Sequence, residues 1–157
     1  MKPIVIELTA DLDGAPELVW RLLVDWERQG DWMLEASDFE VTSPHRDGVG
    51  VEALATVRIG GISTRDRIRV DVWEPTRHLG IAHLGWVAGR GDLRLVPVGP
   101  RGTRLDWREE LVPPWGVVGA LGMRMFRPLI ARVLRRDLRV LGELVRKAAD
   151  GRYPGEP

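Results

Sequence analysis

Ile4, Ile6 and Leu8 alternate with Val5, Glu7 and Thr9, a period of two that predicts a strand over 4–10. A polar turn at 11–14 follows, where Asp13 or Gly14 is placed to cap a helix and Pro16 suits its first turn. Leu18, Val19, Leu22 and Leu23 then recur at helical spacing, and a second short helix is expected from Asp25 through Trp26 to about Gln29, where Gly30 breaks it. From Phe39 the period returns to two. Strands are expected at 39–43, 50–59, 62–73, 78–86, 92–98 and 103–111. The turns between them are expected at Asp47-Gly48, Gly60-Gly61, Glu74-Pro75-Thr76, Gly89–Gly91 and Gly99–Gly102. The alternation is clearest over 62–73: Ser63, Arg65, Arg67, Arg69 and Asp71 form a solvated face, and Ile62, Thr64, Asp66, Ile68, Val70 and Val72 a core face.

Pro113-Pro114 stops this run, and a long helix is expected over 115–149. Gly119, Gly122 and Pro128 weaken its first half, and Pro128 should kink or divide it. Leu129, Val133, Leu134, Leu138, Leu141, Leu144 and Val145 give the second half an apolar stripe. Residues 151–157 read as a disordered tail, leaving one domain over 1–150 with no internal repeat.

The order is therefore β-α-α-β-β-β-β-β-β-α. In that frame stand the opening strand Ile4 to Thr9, the helix start Ala15-Pro16-Glu17-Leu18-Val19-Trp20, and Asp25-Trp26 leading to Trp32. Val72-Trp73-Glu74-Pro75, Gly102-Thr103-Arg104-Leu105-Asp106-Trp107 and Arg136-Asp137-Leu138-Arg139-Val140-Leu141 continue it. On these segments the chain, over about residues 3 to 149, resembles the START / birch-pollen-allergen superfamily, also called SRPBCC or polyketide cyclase/dehydrase-like. The resemblance implies an α+β helix-grip fold. A curved seven-stranded antiparallel sheet would wrap around the long C-terminal helix, with two short helices between strands 1 and 2. It also implies a hydrophobic tunnel, which family members use to bind lipids, sterols, polyketides or plant hormones, a minority of them doing chemistry there. Physical reasoning agrees: a concave sheet and one helix do not interdigitate fully, and the remaining volume is a pocket.

Composition narrows the chemistry. The 157 residues contain no cysteine, which excludes disulfides, thiol nucleophiles and thiolate metal sites and fits a reducing cytoplasm. Basic and acidic residues balance at 23 each, so no global field favours nucleic acid. No signal-peptide pattern opens the chain, and no apolar stretch approaches the ~20 residues of a membrane span. The three histidines lack metal-ligand spacing, the serines lack a nucleophile elbow, and no dinucleotide or P-loop fingerprint is present. The expectation is a cytoplasmic protein without metal, cofactor or nucleic-acid partner.

Three groups are placed for acid–base work. Asp66 shares the parity of Ile68 and Val70, and an inward carboxyl in an apolar space is a candidate general acid or base; the alternative is a hydrated position or an arginine partner at the strand's open end. Glu109 shares the parity of Leu105 and Trp107, to pair with Asp66 or to form a salt bridge at the rim. His83 is a third candidate if the face of Leu79 and Ile81 is internal, and a surface residue if the face of Ala82, Leu84 and Trp86 is. His45 and His78 are expected in solvent-facing turns. A hydrophobic ligand would be lined by Thr64, Ile68, Val70, Leu93, Leu95, Leu105 and Trp107 from the sheet and by Leu121, Met125 and Leu129 from the helix. The seven tryptophans suit a flat aromatic ligand, although core packing explains any one of them.

The apolar stretch from Leu111 to Phe126 places Met123, Met125 and Phe126 to gate the tunnel. The same stretch would also suit packing on a homodimer partner or, near Trp115, contact with a membrane. Between Arg124 and Lys147 the helix is rich in arginine, with Asp137 and Glu143 its only acidic residues. That composition fits a peripheral membrane face or a plain solvated one. Three functions remain: a small-molecule binder, a cyclase- or dehydratase-type enzyme using Asp66, Glu109 or His83, and a lipid carrier.

Overall fold

The alternating segments pair into a single antiparallel sheet, in a computed structural model that describes residues 3–59, 61–113 and 116–152. The elements are β1 (Ile4–Leu12), α1 (Pro16–Leu23), a 3-10 helix (Trp26–Asp31), β2 (Ala36–Val41), β3 (Glu52–Ile59), β4 (Ile62–Glu74), β5 (His78–Leu84), β6 (Ala88–Val98), β7 (Gly102–Val112) and α2 (Gly116–Ala149). The strand order is β1-β7-β6-β5-β4-β3-β2. Sequence neighbours from β2 to β7 are hairpin partners, and β1 closes the far edge by pairing with β7 from Ile4↔Leu111 to Leu12↔Thr103. The two helical pieces between β1 and β2 cross from one edge of the sheet to the other. The sheet curves around α2, as in a helix-grip fold.

The second half of α2 makes the core. Leu134, Leu138, Leu141, Val145 and Ala148 are buried in one cluster with Ile6, Leu12, Leu95 and Leu105 of the sheet and Val19, Leu22 and Leu23 of α1. Gly14 lets the start of α1 approach α2 closely, because a Cβ there would sit 2.4 Å from Val145 Cγ1. The buried Thr103 hydroxyl donates to the Gly14 carbonyl at 2.7 Å and holds this corner to β7. The cap of α1 is Ala15 rather than Asp13 or Gly14, and its backbone carbonyl accepts from Leu18 and Val19 without a side-chain cap. Pro16 opens the helix as expected.

The strands depart from the sequence pattern in three places. β4 and β5 lose register between Val70 and Val72, so Val72 moves to the outer face and Trp73 packs on the core. Gly89–Gly91 is not a turn but part of β6, and the turn falls at 85–87. His78 is not in a solvent-facing turn: it begins β5, is 7% exposed and meets Asp92 at 2.7 Å. α2 runs from Gly116 through Pro128 without dividing; the missing proline N–H leaves the Arg124 carbonyl without that partner on an exposed turn. Trp115, Gly60 and residues 153–157 of the expected tail lie outside the described residues.

Candidate functional site

Between α2 and the sheet a cavity of about 470 Å³ remains. Its walls are chiefly apolar, with Phe39, Ile68, Leu79, Leu93 and Trp107 among them, and it is bounded on the helix side by Met123, Phe126, Ile130 and Leu134. Among the described residues, no helix is long and apolar enough to cross a membrane, and no cluster of acidic, histidine or cysteine side chains is arranged to hold a metal.

Asp66, His83 and Glu109 meet in this cavity. The register Ile68↔His83 puts His83 on the inner face of β5, beside Asp66 two residues along β4. His83 Nδ1 donates to Asp66 Oδ2 at 3.3 Å, and Nε2 donates to Glu109 Oε1 at 2.8 Å. The second contact crosses a strand, since β6 lies between β5 and β7. It is made possible by Gly89, opposite His83, and Gly91, opposite Glu109, which place no side chain between the two. A Cβ at Gly91 would lie 2.9 Å from Glu109 Oε2 and 3.7 Å from His83 Nε2. The glycines that read as a turn signal are therefore the gap through which two strands share an ion pair. Glu109 Oε2 accepts the buried Trp107 indole N–H at 3.0 Å, so both of its oxygens are held. Asp66 Oδ1 rests against Gly85, where a Cβ would come within 1.6 Å of it.

Burial works against a charged imidazole, but hydrogen bonds and negative charge from Asp66 and Glu109 outweigh it, and the His83 pKa is pushed up to about 10. His83 is thus an imidazolium throughout the neutral range. The expected proton exchange near pH 7 does not fit this environment; a fixed cation with two directed N–H groups does.

The remaining expected residues divide by position. Thr64, Ile68, Leu93 and Trp107 line the cavity. Val70, Leu95 and Leu105 are buried in the core cluster instead and are not part of the cavity wall. Leu121 and Met125 are on the outside, 65% and 75% exposed, and Leu129 is half-buried but off the cavity wall. The reason is helical phase: Gly119, Gly122, Met123, Phe126 and Ile130 follow three- and four-residue steps toward the cavity, and Leu121, Met125 and Leu129 lie on a different row. Of the three expected gating residues, Met123 and Phe126 face the space and Met125 does not.

Two polar wall residues escaped the pattern. Gln29 is 3% exposed and donates to the carbonyls of Leu23 and Asp25, bracing the 3-10 helix. Glu35, 8% exposed, stands just before β2 and faces Arg136 from α2. Glu35 has no periodicity around it, but its α2 neighbour Asp137 left a trace, an acid between Leu134 and Leu141 on the apolar stripe.

A family model described as polyketide cyclase/dehydrase and lipid transport matches residues 3–146. An uncharacterised protein of Mycobacterium tuberculosis is 25% identical over 80 residues, 51% of this chain and 56% of that protein, so the match spans little more than half the relative's length. Among solved structures, the Zhui aromatase/cyclase from Streptomyces sp. R1128 superposes with a TM-score of 0.82 at 16% identity, covering 94% of this chain and 96% of the other. A START superfamily protein from Mycobacterium smegmatis gives 0.78 at 18% identity, covering 92% and 98%. At these identities the structural likeness is one of fold.

Proposed function

The chain belongs to the polyketide cyclase/dehydrase and lipid transport family, within the START/SRPBCC superfamily, and from that premise we propose that its cavity binds a flat hydrophobic small molecule bearing a carbonyl or hydroxyl oxygen. The observation that carries this reading is the His83 imidazolium set between Asp66 and Glu109 in an otherwise apolar pocket. Burying such a cluster is costly, and a container for plain hydrocarbon would not need it. The Nδ1 contact to Asp66, at 3.3 Å, is the looser of the two, so a ligand oxygen entering there would take a charge-assisted hydrogen bond from His83. Aromatic rings would lie against Trp107, Trp32 and Phe39.

Quenching of tryptophan fluorescence by 1,8-dihydroxyanthraquinone tests the reading. Saturable one-to-one quenching, weakened roughly tenfold or more in His83→Gln, is expected from loss of a charged hydrogen bond of ~1.5–3 kcal/mol. Linear, unsaturable quenching equal in both proteins would refute it.

A second reading, an enzyme of the cyclase or dehydratase type, is favoured by the same cluster and by the fold shared with an aromatase/cyclase. Here His83 would polarise a ligand carbonyl, Asp66 would take a proton from the adjacent carbon, and the enolate oxygen would rest on the imidazolium. The test is exchange of the α-hydrogens of 2-tetralone in D2O, followed by proton NMR. The reading expects acceleration by the wild type and none by Asp66→Asn, with both proteins folded. Equal rates in the two would leave only the binding function.

A further inference from the structure

Glu35 and Trp32 belong to the wall of the same cavity but not to the His83 cluster. Glu35 meets a second buried acid, Asp137, which is 0% exposed. One guanidinium nitrogen serves both: Arg136 Nη2 lies 3.3 Å from Glu35 Oε2 and 3.3 Å from Asp137 Oδ1. The polar groups here outnumber their partners. Among the described residues, Trp32 Nε1, Arg136 Nε and Asp137 Oδ2 are buried without a hydrogen bond. Trp32 is 3% exposed and packs edge-on against Trp107, ring centroids 6.0 Å apart. An indole N–H buried without an acceptor is rare in native proteins, and Trp32 is itself a wall residue of the cavity.

We propose that Glu35 and Trp32 form a second polar subsite of the cavity, in which the Glu35 carboxyl and the Trp32 indole N–H together hold a ligand oxygen other than the one that meets His83. The inference rests on the small-molecule reading above and narrows it to an apolar ring system with oxygen functions at two places, such as a diketone or a hydroxylated ketone. Glu35 is equipped to donate. Burial, its hydrogen bond to Asp137 and the charge of Asp137 raise its pKa to about 8, against the smaller opposing effects of a backbone N–H and Arg136. Asp137 is also raised, chiefly by burial. Both shifts point the same way, so the Glu35–Asp137 pair retains a proton above the usual carboxylate range, and a ligand oxygen beside Trp32 offers that proton another acceptor. The titratable groups that meet Glu35 are Asp137 and Arg136 from α2, while Asp66, His83 and Glu109 line the same cavity from the strands of the sheet.

The probes are 2,6-diacetylnaphthalene and 2-acetyl-6-ethylnaphthalene, nearly equal in shape and different by one carbonyl oxygen. Their affinities are measured by calorimetry at pH 6.5 and pH 9, below the point where His83 loses its proton. The proposal expects the diketone to bind roughly fivefold tighter at pH 6.5, about the effect of one net hydrogen bond. The preference should shrink at pH 9, where Glu35 has ionised. Glu35→Gln, which keeps a donor but does not titrate, should retain the preference and lose its pH dependence; Trp32→Phe should reduce the preference at both pH values. The wild-type pH comparison needs no variant to fold. Equal affinities for the two probes at pH 6.5, or an unchanged pH dependence in Glu35→Gln, would overturn the second subsite alone. Failure of the wild type to bind either probe would overturn the small-molecule reading, and the subsite with it.

Discussion

Replacing His83 by glutamine removes the cation between Asp66 and Glu109 while keeping a polar side chain of similar reach. The effect on stability follows from protonation. The His83 pKa rises from the ordinary 6.5 to about 10 in the folded protein, with the carboxyl partners prevailing over burial. At ~1.36 kcal/mol per pH unit this couples about 5 kcal/mol of folding free energy to one proton. Because the folded state holds that proton more tightly, the stabilisation is complete below pH 6.5 and is lost as pH rises through about 10. Between pH 7 and 9.5 the loss is about 3 kcal/mol. Glu35, raised from 4.5 to about 8, acts in the same direction at lower pH, but it is present in both proteins and cancels in their difference. Urea unfolding followed by tryptophan fluorescence at half-unit pH steps gives that difference directly. The advantage of the wild type over His83→Gln should be level below pH 6 and fall by about 3 kcal/mol between pH 7 and 9.5. A difference that stays level from pH 6 to 9.5 would refute the charge assignment and the chemistry built on it.

Gly85→Ala should disturb the site without opening the core, because its Cβ would fall 1.6 Å from Asp66 Oδ1 and displace that carboxyl; nitrogen NMR of the His83 ring should then show a pKa below the wild-type value. An unchanged ring titration would mean that Asp66 contributes little. Leu141→Ala, at a fully buried position of α2, should cost about 2–5 kcal/mol in the same urea assay, and a loss under 1 kcal/mol would contradict the packing. Met125→Glu, at a 75% exposed position, should change stability by no more than about 0.5 kcal/mol. Sedimentation with anionic liposomes at low salt should leave the wild type in the supernatant; pelleting that Met125→Glu abolishes would favour the membrane role.

Most of the architecture was legible because strands with one buried face repeat every second residue and α2 carries a stripe at helical spacing. Parity failed where the backbone slipped: the shift after Val70 reverses Val72 and Trp73, and no residue type there announces a bulge. It also left His83 open, since both faces of β5 are apolar; only pairing with Ile68 settles which is inner. Asp66 and Glu109 were readable from parity, but not their meeting through His83, which depends on two glycines of the intervening strand. The helix residues went wrong by phase: Leu121 and Met125 are apolar in sequence, but cavity-facing positions follow the row of Met123 and Phe126. Glu35 was hidden because it lies between elements, where no period marks burial, although Asp137 within the apolar stripe pointed to a buried acid on α2.

The most direct test of a ligand-binding cavity is native mass spectrometry of the protein purified from its own host, repeated after addition of 1,8-dihydroxyanthraquinone. The account predicts a one-to-one adduct that survives gentle ionisation and disappears on denaturation, carried from the host or formed with the added compound. A bare protein mass in both spectra, with the added compound in excess, would contradict it.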